Sequence, residues 1–219
     1  LRKKADALFQ AGRYASAAEA YALFCETYDS HERLPEVLFQ EAEALARDGR
    51  HERARNTFGD LAERFPDHAL ADEARLRVAM LLEDRGQWQQ AESLYDRLLA
   101  EGTNGTLAAR ALHGRGLVRY RRGTFSEALA DFEAMVERFP DHELARQASY
   151  MRGWCLYLMG EDRRALELCR DYVARYPESP WVEDVLFWLA EYHYNHGNFE
   201  RAEERFLDLA ERRPEGRLA

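Results

Sequence analysis

The sequence predicts an all-α solenoid of about six helical hairpins. Three observations support this fold class: a 37-residue period along the chain, three- and four-residue spacing of apolar residues within each period, and the absence of alternating β-branched runs. One hairpin cannot bury its apolar faces alone, so neighbouring hairpins must stack. We therefore predict one helical-repeat array with essentially no β-strand.

The period is defined by small residues at fixed positions. The glycines that stand 37 residues apart are Gly12, Gly49, Gly86, Gly123, Gly160 and Gly197. The alanines five residues after them are Ala17, Ala54, Ala91, Ala128, Ala165 and Ala202. The small residues seven positions before them are Ala5, Ala42, Ala79, Gly116, Gly153 and Ala190. Small side chains at two fixed positions allow paired helices to approach closely, because interaxial distance depends on the contacting side chains.

Each period contains the pattern of two helices. In the third period, apolar residues recur at helical spacing between Asp67, the expected N-cap, and Gly86, which is expected to end the helix at positive φ. A second helix is predicted from about Gln87 to Ala100. Elsewhere the second helix is expected to end at Phe-Pro or Tyr-Pro, because proline disfavours helical geometry in the residue before it.

The period divides the chain into repeat units rather than separate domains. The predicted units are residues 1–29, 30–66, 67–103, 104–140, 141–177 and 178–214, with 215–219 opening a further unit. Because these last residues keep the register and the chain lacks an initiator Met, we expect a fragment of a longer protein. Between units three and four, Gly102–Gly105 replaces the aromatic–proline pair, which indicates a surface turn or, alternatively, a hinge between two three-unit halves.

Composition excludes several function classes. Apolar residues make up 46% of the chain and the net charge is −9, which argues against a strongly basic nucleic-acid binder and against attraction to an anionic membrane surface. No apolar run approaches the ~18 residues of a transmembrane helix, and the first residues lack the apolar region of a signal peptide. The three cysteines lack metal-type spacing and are interpreted as small buried hydrophobes.

No catalytic motif is present in the sequence. The glycine-rich nucleotide loops, the nucleophile elbow and the zinc-protease helix motif are all missing, so we expect a non-enzyme without catalytic residues or cofactor. His193 and His196 lie three residues apart, but a metal site built on two histidines needs a further ligand. Other units carry leucine at the position of His193, so we interpret it as a core histidine and expect no metal.

The spacing of small residue, glycine, aromatic, alanine, aromatic and proline resembles the tetratricopeptide repeat family over the whole chain. The 37-residue variant is similar to repeats of bacterial envelope proteins, notably the Tol–Pal coordinator family and the lipoprotein of the outer-membrane assembly machine. The resemblance implies a right-handed superhelix whose first helices line a concave groove. It favours a periplasmic or cell-envelope location and leaves a cytoplasmic one open.

The resemblance also assigns groove positions on the first helix of each hairpin. The predicted partner-binding residues are Phe39, Leu76, Met80, Arg110, His113, Leu117, Tyr120, Arg121, Tyr150, Trp154, Tyr157, Phe187 and Tyr194. Further groove positions are Glu43, Glu83, Glu191 and Asn195. Because Tyr, Trp and Arg are common in binding hot spots, a partner-binding groove is predicted. The alternative is that these rings pack on each other or on neighbouring helices.

Unit four is locally basic within an acidic chain. Its arginines are Arg110, Arg115, Arg119, Arg121 and Arg122. One interpretation is that this basic stripe receives an acidic segment of a partner. The other is that its guanidinium groups bridge to acidic residues on adjacent helices.

The predicted function is a non-catalytic protein–protein interaction scaffold that binds an extended or helical partner segment in its groove, in a bacterial envelope assembly. The alternatives are a carbohydrate-handling role in exopolysaccharide export, with aromatic rings stacking on sugars, and a regulatory region of a larger cytosolic signalling protein. Nucleic acid is not an expected partner, because phosphate contacts need a larger positive field. Recognition of a free C-terminal carboxylate is not expected either, since Leu76, Met80, His113 and Leu117 replace the family's Lys/Asn clamp.

Overall fold

The computed structural model describes residues 1–103 and 105–212, and these residues form twelve α-helices and no β-strand. The helices are α1 (Arg2–Gln10), α2 (Tyr14–Thr27), α3 (Leu34–Arg47), α4 (His51–Arg64), α5 (Ala71–Asp84), α6 (Trp88–Ala100), α7 (Gly105–Arg121), α8 (Phe125–Arg138), α9 (Ala145–Leu158), α10 (Asp162–Arg175), α11 (Val182–Asn195) and α12 (Phe199–Arg212). Odd-numbered helices are the first helices of the hairpins and even-numbered helices the second. The predicted fold class, an all-α solenoid of six helical hairpins, is confirmed.

A glycine in the left-handed conformation separates the two helices of each hairpin. At the end of α5, Gly86 has a φ of +72°. The N–H of Gln87 donates to the carbonyl of Leu82 at 2.9 Å, which satisfies one of the last carbonyls of the helix. The predicted end of this helix at Gly86 is confirmed, and α6 begins two residues later at Trp88.

An aromatic–proline pair follows the second helix in three hairpins, as Phe65–Pro66, Phe139–Pro140 and Tyr176–Pro177. Helix α4 ends at Arg64, one residue before Phe65, because Pro66 has no N–H with which to continue the helical ladder. The guanidinium of Arg64 lies 5.4 Å from the ring centroid of Phe65, within cation–π range. The same contact recurs at 5.2 Å in Arg138–Phe139 and at 5.4 Å in Arg175–Tyr176.

The turn before α5 corrects one expectation. Asp67 is not the N-cap, because the helix begins at Ala71 and its N-cap position is Leu70, without a side-chain cap. The chain first makes a turn in which the N–H of His68 donates to the carbonyl of Phe65 at 3.0 Å. The Nδ1 atom of His68 then accepts the N–H of Leu70 at 3.2 Å. The imidazole therefore stabilises the turn that precedes the helix.

This turn acceptor recurs at the 37-residue period. His31 Nδ1 accepts the N–H of Arg33 at 3.0 Å, and His142 Nδ1 accepts the N–H of Leu144 at 3.1 Å. Ser179 stands at the same register, and its Oγ accepts the N–H of Trp181 at 3.3 Å. Three histidines and one serine thus perform the same structural role before four first helices.

The chain divides into two compact units, Leu1–Val118 and Arg119–Ala219, and the boundary falls within α7. The junction predicted as a turn or hinge lies earlier, at Gly102–Gly105, and its Asn104 is outside the described residues. The expected start of a seventh repeat at 215–219 is also outside them. The division into six sequence repeats remains a prediction.

The core of the first compact unit joins small residues on first helices to rings on second helices. Ala5, Ala42 and Ala79 are fully buried. Tyr21, Phe58 and Tyr95, one ring from each of the first three hairpins, are at most 1% exposed. These are the small and aromatic positions of the repeat, so packing explains why the period keeps them.

The second compact unit has the same kind of core. Phe132, Leu156 and Leu186 are fully buried, and Cys155 and Cys169 lie among the buried residues. Both cysteines and the partly buried Cys25 are free thiols. Among the residues that the structure describes, no helix is both long and apolar enough to cross a membrane.

Candidate interaction surface

The groove positions of the first compact unit are connected by an ion-pair ladder of four residues: Glu43, Arg77, Glu73 and Arg110. Arg77 Nε lies 3.2 Å from Glu43 on α3 and 3.0 Å from Glu73 on its own helix. Arg110 Nη1 on α7 donates to both carboxylate oxygens of Glu73 at 2.8 Å. Charges of opposite sign therefore compensate one another across α3, α5 and α7.

Several predicted groove residues in this unit belong to the protein interior. Leu76 is fully buried, and it packs in a core cluster with Tyr95. Phe39 places its ring edge-to-face against Phe58 at 5.2 Å. His113 is 6% exposed. Leu76 and His113 are therefore buried residues that lie outside the candidate surface.

Met80 is the exposed apolar side chain among the predicted positions of this unit. It is 38% exposed, and its Sδ lies 3.6 Å from Arg110 Nη2. Leu117, at another predicted position, is partly buried. A partner would therefore meet Met80 beside guanidinium and carboxylate groups that already pair with each other.

The arginines of the basic stripe interact with other residues of the chain. Arg110 pairs with Glu73, and Arg115 Nη1 lies 2.7 Å from Asp96. In the second compact unit, Arg119 Nη1 lies 2.9 Å from Asp131, whose side chain is 3% exposed. Interactions are also present at Arg121 and Arg122. Of the two interpretations of the stripe, bridging to neighbouring acidic residues is the one observed for Arg110, Arg115 and Arg119.

An aromatic cluster occupies the first helices α9 and α11. Its members are Tyr150, Trp154, Tyr157, Trp181 and Trp188. Trp154 lies edge-to-face against Tyr150 at 5.8 Å, Tyr157 at 6.0 Å and Trp188 at 5.8 Å. Tyr157 lies 5.2 Å from Trp188, and Tyr150 stacks on Trp181 at 5.6 Å. The cluster joins three predicted groove residues to α11 and the turn before it.

Exposure differs sharply within the aromatic cluster. Tyr157 is 41% exposed and has exposed apolar neighbours in Leu158 and Met159, whereas Trp188 is 9% exposed. Burial raises the pKa of Tyr150 to about 12, so its phenol is neutral at physiological pH. The cluster therefore has a packed base and one large exposed ring. Of the two interpretations of these aromatic residues, packing applies to Trp188, whereas Tyr157 is exposed enough to contact a partner.

Sequence reasoning missed Trp181 and Trp188. Trp188 stands one residue after the register position Phe187, whose ring instead packs against Phe206 of its own hairpin at 6.1 Å. The 37-residue register places Trp188 with Met151, a position that reads as core. The sequence signal that could have indicated Trp188 is the number of aromatic residues in α11, namely Phe187, Trp188, Tyr192 and Tyr194, which cannot all lie on one helix face.

Three tyrosines recur at the same position of successive first helices, and we call Tyr120, Tyr157 and Tyr194 the tyrosine row. Each lies in the last turn of its helix and contacts another ring: Phe125 at 5.6 Å for Tyr120, Trp188 at 5.2 Å for Tyr157 and Phe199 at 5.5 Å for Tyr194. Tyr194 is 59% exposed. The row gives the second compact unit a repeated phenol at one helix end.

The reactive residue types lie in settings that disfavour catalysis. Burial raises the pKa of each cysteine thiol to about 12, so the nucleophilic thiolate is disfavoured. The described residues contain no group of three or more His, Cys, Asp and Glu that could hold a metal ion. His193 is 3% exposed, and its Nε2 faces Arg170 Nη2 at 3.2 Å. This arrangement fits a buried core histidine.

Family models of the tetratricopeptide repeat match residues 39–101, 76–143, 113–180 and 184–216. The chain belongs to the tetratricopeptide repeat family. Tetratricopeptide repeats are generally non-catalytic scaffolds for protein–protein interaction, and this is the function class that the family supports. Comparison with curated protein sequences gives no significant match.

Several solved structures share the fold. A tetratricopeptide repeat protein from Parabacteroides merdae superposes with a TM-score of 0.73 at 17% identity, over 94% of this chain and 76% of that chain. YrrB, described as a TPR protein with an unusual peptide-binding site, gives 0.68 at 18% identity, over 92% and 96%. MamA from Desulfovibrio magneticus RS-1 gives 0.66 at 19% identity, over 81% and 95%. At these identities the likeness concerns the fold.

Proposed function

We propose that the chain is a protein-interaction scaffold that binds a segment of a partner protein on the first helices of its second compact unit. The observation that carries this proposal is the aromatic cluster, which exposes 41% of Tyr157 on a base of packed rings. The equivalent face of the first compact unit is occupied by the ion-pair ladder, whose charges already have partners.

The chemistry of the aromatic cluster suits a binding hot spot. Tyrosine and tryptophan supply large contact area, and a ring held by neighbours loses little conformational entropy on binding. Tyr157 is held at 5.2 Å by Trp188 and at 6.0 Å by Trp154. Its exposed face is therefore presented in a fixed orientation, and Leu158 and Met159 extend the apolar area beside it.

A random-peptide display selection on the full chain tests this proposal. Selected peptides are expected to bind by isothermal calorimetry and to lose about tenfold or more in affinity with Tyr157→Ala, as hot-spot truncations do. The matched control is Met80→Ala, which removes a 38% exposed side chain from the first compact unit and should leave affinity unchanged. Equal losses for both variants, or none for Tyr157→Ala, would contradict the proposed surface.

We further propose a bacterial cell-envelope setting, which rests on the resemblance of the 37-residue period to envelope repeats. Fractionation of cells that express the full gene tests it, with recovery in the periplasmic or membrane fraction expected. Recovery in the cytosol would instead favour the regulatory role within a signalling protein. The polysaccharide alternative has no support from the family or from the related structures.

A further inference from the structure

We propose that α1 of one copy of this chain docks on α12 of another copy, so that copies associate head to tail. The receiving surface is the α12 face, which we define as Phe199, Glu203, Phe206, Leu207 and Glu211. It shares no residue with the aromatic cluster, so this inference goes beyond the proposed function. It is carried by exposed positions on both helices and by ion pairs that the chain forms at its own junctions.

The α12 face exposes positions that are buried in other hairpins. Phe206 is 38% exposed, whereas the rings at its register in the first four hairpins are at most 1% exposed. One of these rings, Phe58, packs in a core cluster with Ala74 of the following first helix α5. An open groove of about 480 Å³ is lined by four of the five residues of the α12 face. The face therefore offers a docking site for one more first helix.

Helix α1 exposes the complementary positions of a first helix. Leu1 is 49% exposed, whereas the leucines at its register in α3, α7 and α11 are at most 6% exposed. Ala7 is exposed as well, whereas its counterpart in α3 is fully buried. Leu38, the counterpart of Leu1 in α3, packs in one core cluster with Tyr21 of the preceding α2. Since Phe206 stands at the register of Tyr21, Leu1 of the docked copy meets Phe206.

Two junctions within the chain show where a basic side chain at the position of Lys4 points. Arg115 of α7 stands three 37-residue periods after Lys4, and its Nη1 lies 2.7 Å from Asp96 of the preceding second helix α6. Arg152 of α9 stands four periods after Lys4, and its Nη2 lies 4.0 Å from Glu133 of the preceding α8. A basic residue at this position therefore crosses to an acidic residue on the second helix that packs against it.

The α12 face supplies acidic partners for Lys4. Leu207 occupies the register of the two acidic residues at those junctions. Glu203 and Glu211 lie one helical turn to either side of Leu207, and both are exposed. The aliphatic stem of Lys4 can therefore lie on Leu207 while its ammonium group reaches a carboxylate. This charge complementarity favours α1 as the occupant of the face.

A second intermolecular pair follows from the ion-pair ladder. Arg77 Nε of α5 lies 3.2 Å from Glu43 of α3, which is a contact between neighbouring first helices. Lys3 stands two periods before Arg77, and Glu191 stands four periods after Glu43. Lys3 of the docked copy therefore faces Glu191 on α11 of the receiving copy. Both side chains are exposed, and neither forms an ion pair with a residue that the structure describes.

The contact joins two different surfaces and is therefore heterologous. Each docked copy brings an α12 face of its own, so assembly continues beyond two copies. A symmetric contact between two α12 faces would stop at the dimer. It would also place Glu203 and Glu211 against the same residues of the other copy, and like charges across an interface oppose association.

Sedimentation velocity of the full chain over a range of concentrations tests this contact. We expect species larger than a dimer and weaker association at high salt, because the pairs are exposed. Lys4→Glu should weaken association about tenfold or more, since an attractive pair becomes a like-charge contact. Arg163→Glu, which makes the same charge change at a 92% exposed residue of α10, is the control and should leave association unchanged.

A mixing experiment distinguishes the two surfaces. Leu207→Arg disables the receiving face, and Lys4→Glu disables the docking helix. Each variant alone should stay monomeric at concentrations where the native chain associates. An equimolar mixture should form a heterodimer that grows no further, because it retains one intact α1 and one intact α12 face.

A charge exchange tests the second pair. Lys3→Glu and Glu191→Lys should each weaken association, and a chain that carries both changes should recover most of it, because the pair is restored with its signs reversed. Circular dichroism of each variant checks that helix content is retained.

Three results would overturn the inference. Association that stops at a dimer and is insensitive to Lys4→Glu would assign the α12 face to a symmetric contact. A mixture of the two defective variants that stays monomeric would show that α1 and α12 are not partners. A native chain that is monomeric at every concentration would leave the face to another occupant, such as a different protein or a further repeat. Peptide binding at Tyr157 is measured separately, so the proposed function stands or fails independently.

Discussion

Gly114 in α7 lies directly against the ring of Tyr95. A Cβ added at Gly114 would stand 2.5 Å from Tyr95 Cζ and Oη, which is far inside normal contact distance. We expect Gly114→Ala to lower the free energy of unfolding by about 1–3 kcal/mol, because overpacking outweighs the gain in helix propensity. Chemical denaturation monitored by circular dichroism measures this change.

The matched control for Gly114 is Gly59 in the interior of α4. No heavy atom lies within 4 Å of a Cβ added there. Gly59→Ala should therefore raise the free energy of unfolding by about 0.5–1 kcal/mol through helix propensity alone. If both alanine variants shift stability in the same direction, the close approach of Gly114 and Tyr95 is not the controlling contact.

His193 makes stability depend on pH. Burial lowers its pKa below 6.5, and the nearby Arg170, Arg201 and Arg205 lower it further. The folded state keeps the imidazole neutral, whereas the unfolded state takes up a proton near pH 6.5. Its contribution to stability is therefore present above pH 6.5 and is lost as pH falls toward the lowered folded pKa.

His193→Leu, which restores the side chain found at Leu45, Leu82 and Leu156, tests this pH dependence. We expect the stability of the variant relative to the native chain to increase as pH is lowered from 8 to about 5.5, as linkage requires. Thermal unfolding over this range measures the difference, with exposed His51→Gln as the control. A stability difference that stays constant with pH would contradict the assignment.

Sequence reasoning at the residue scale succeeded where the repeat register alone decides burial. The glycine turn at Gly86 and the buried His193 follow from comparison of equivalent positions. It did not find Trp181 and Trp188, because the ring contacts of these residues with α9, one stacked and one edge-to-face, depend on the rotation of each helix about its axis. That rotation is set by packing between helices, and the residue spacing within one 37-residue repeat does not specify it.

At the scale of elements, the turns before the first helices carry a repeated acceptor. We expect His68→Ala to lower the free energy of unfolding by about 1 kcal/mol, because the N–H of Leu70 loses its acceptor. His68→Ser should retain most of the stability, since Ser179 already performs this role before α11. Differential scanning calorimetry measures both variants, and identical behaviour of Ala and Ser would contradict the role of the acceptor.

The ion-pair ladder should couple α5 to α7. A double-mutant cycle of Glu73→Ala and Arg110→Ala is expected to give a coupling energy of about 0.5–1 kcal/mol that decreases with added salt, because Arg110 Nη1 donates to both carboxylate oxygens of Glu73 and the pair is partly shielded. The control pair is Arg163 and Glu167, whose side chains are 92% and 61% exposed and whose coupling should be smaller. Equal coupling in the two cycles would show that the ladder adds nothing specific.

Helix boundaries were predictable because glycine and proline act locally. The second helix predicted from Gln87 to Ala100 is observed from Trp88 to Ala100. The N-cap expected at Asp67 was wrong, since the polar residue that matters is His68, which bonds within a turn that a cap rule does not describe. Local sequence rules thus predict the ends of the helices better than they predict the structure of the irregular turn between two helices.

At the scale of the whole molecule, α12 presents an apolar face to solvent. Phe199 and Leu207 are 62% and 56% exposed, and Phe206 is 38% exposed although its counterparts in the first four hairpins are buried. We expect the isolated chain to associate in a concentration-dependent manner and Leu207→Arg to weaken this association without loss of helix content. Sedimentation velocity measures the change.

Leu23→Arg is the matched control for this association, because Leu23 is 49% exposed on α2 and lies outside the α12 face. Its association should match that of the native chain. If Leu23→Arg and Leu207→Arg dissociate the chain equally, net charge and not the α12 face governs association.

The fold was predictable from the sequence to a greater extent than the surface. Six glycines in register specify the hairpins, and each of them has positive φ. The groove positions carry no such backbone requirement. They carry side chains in three different settings: Arg110 is paired with Glu73, Leu76 is buried in the core, and Tyr157 has an exposed ring. A solenoid tolerates many side chains on this face, so the period does not specify what it binds.

The distribution of tryptophan gives the molecule a built-in optical reporter. Three of its four tryptophans, Trp154, Trp181 and Trp188, belong to the aromatic cluster. Indole rings 5.8 Å apart at an interplanar angle of 68° couple their electronic transitions, and they should produce an exciton signal in ultraviolet circular dichroism. That signal and the intrinsic emission belong mainly to α9 and α11, so the unlabelled chain can report events at this surface separately from unfolding elsewhere.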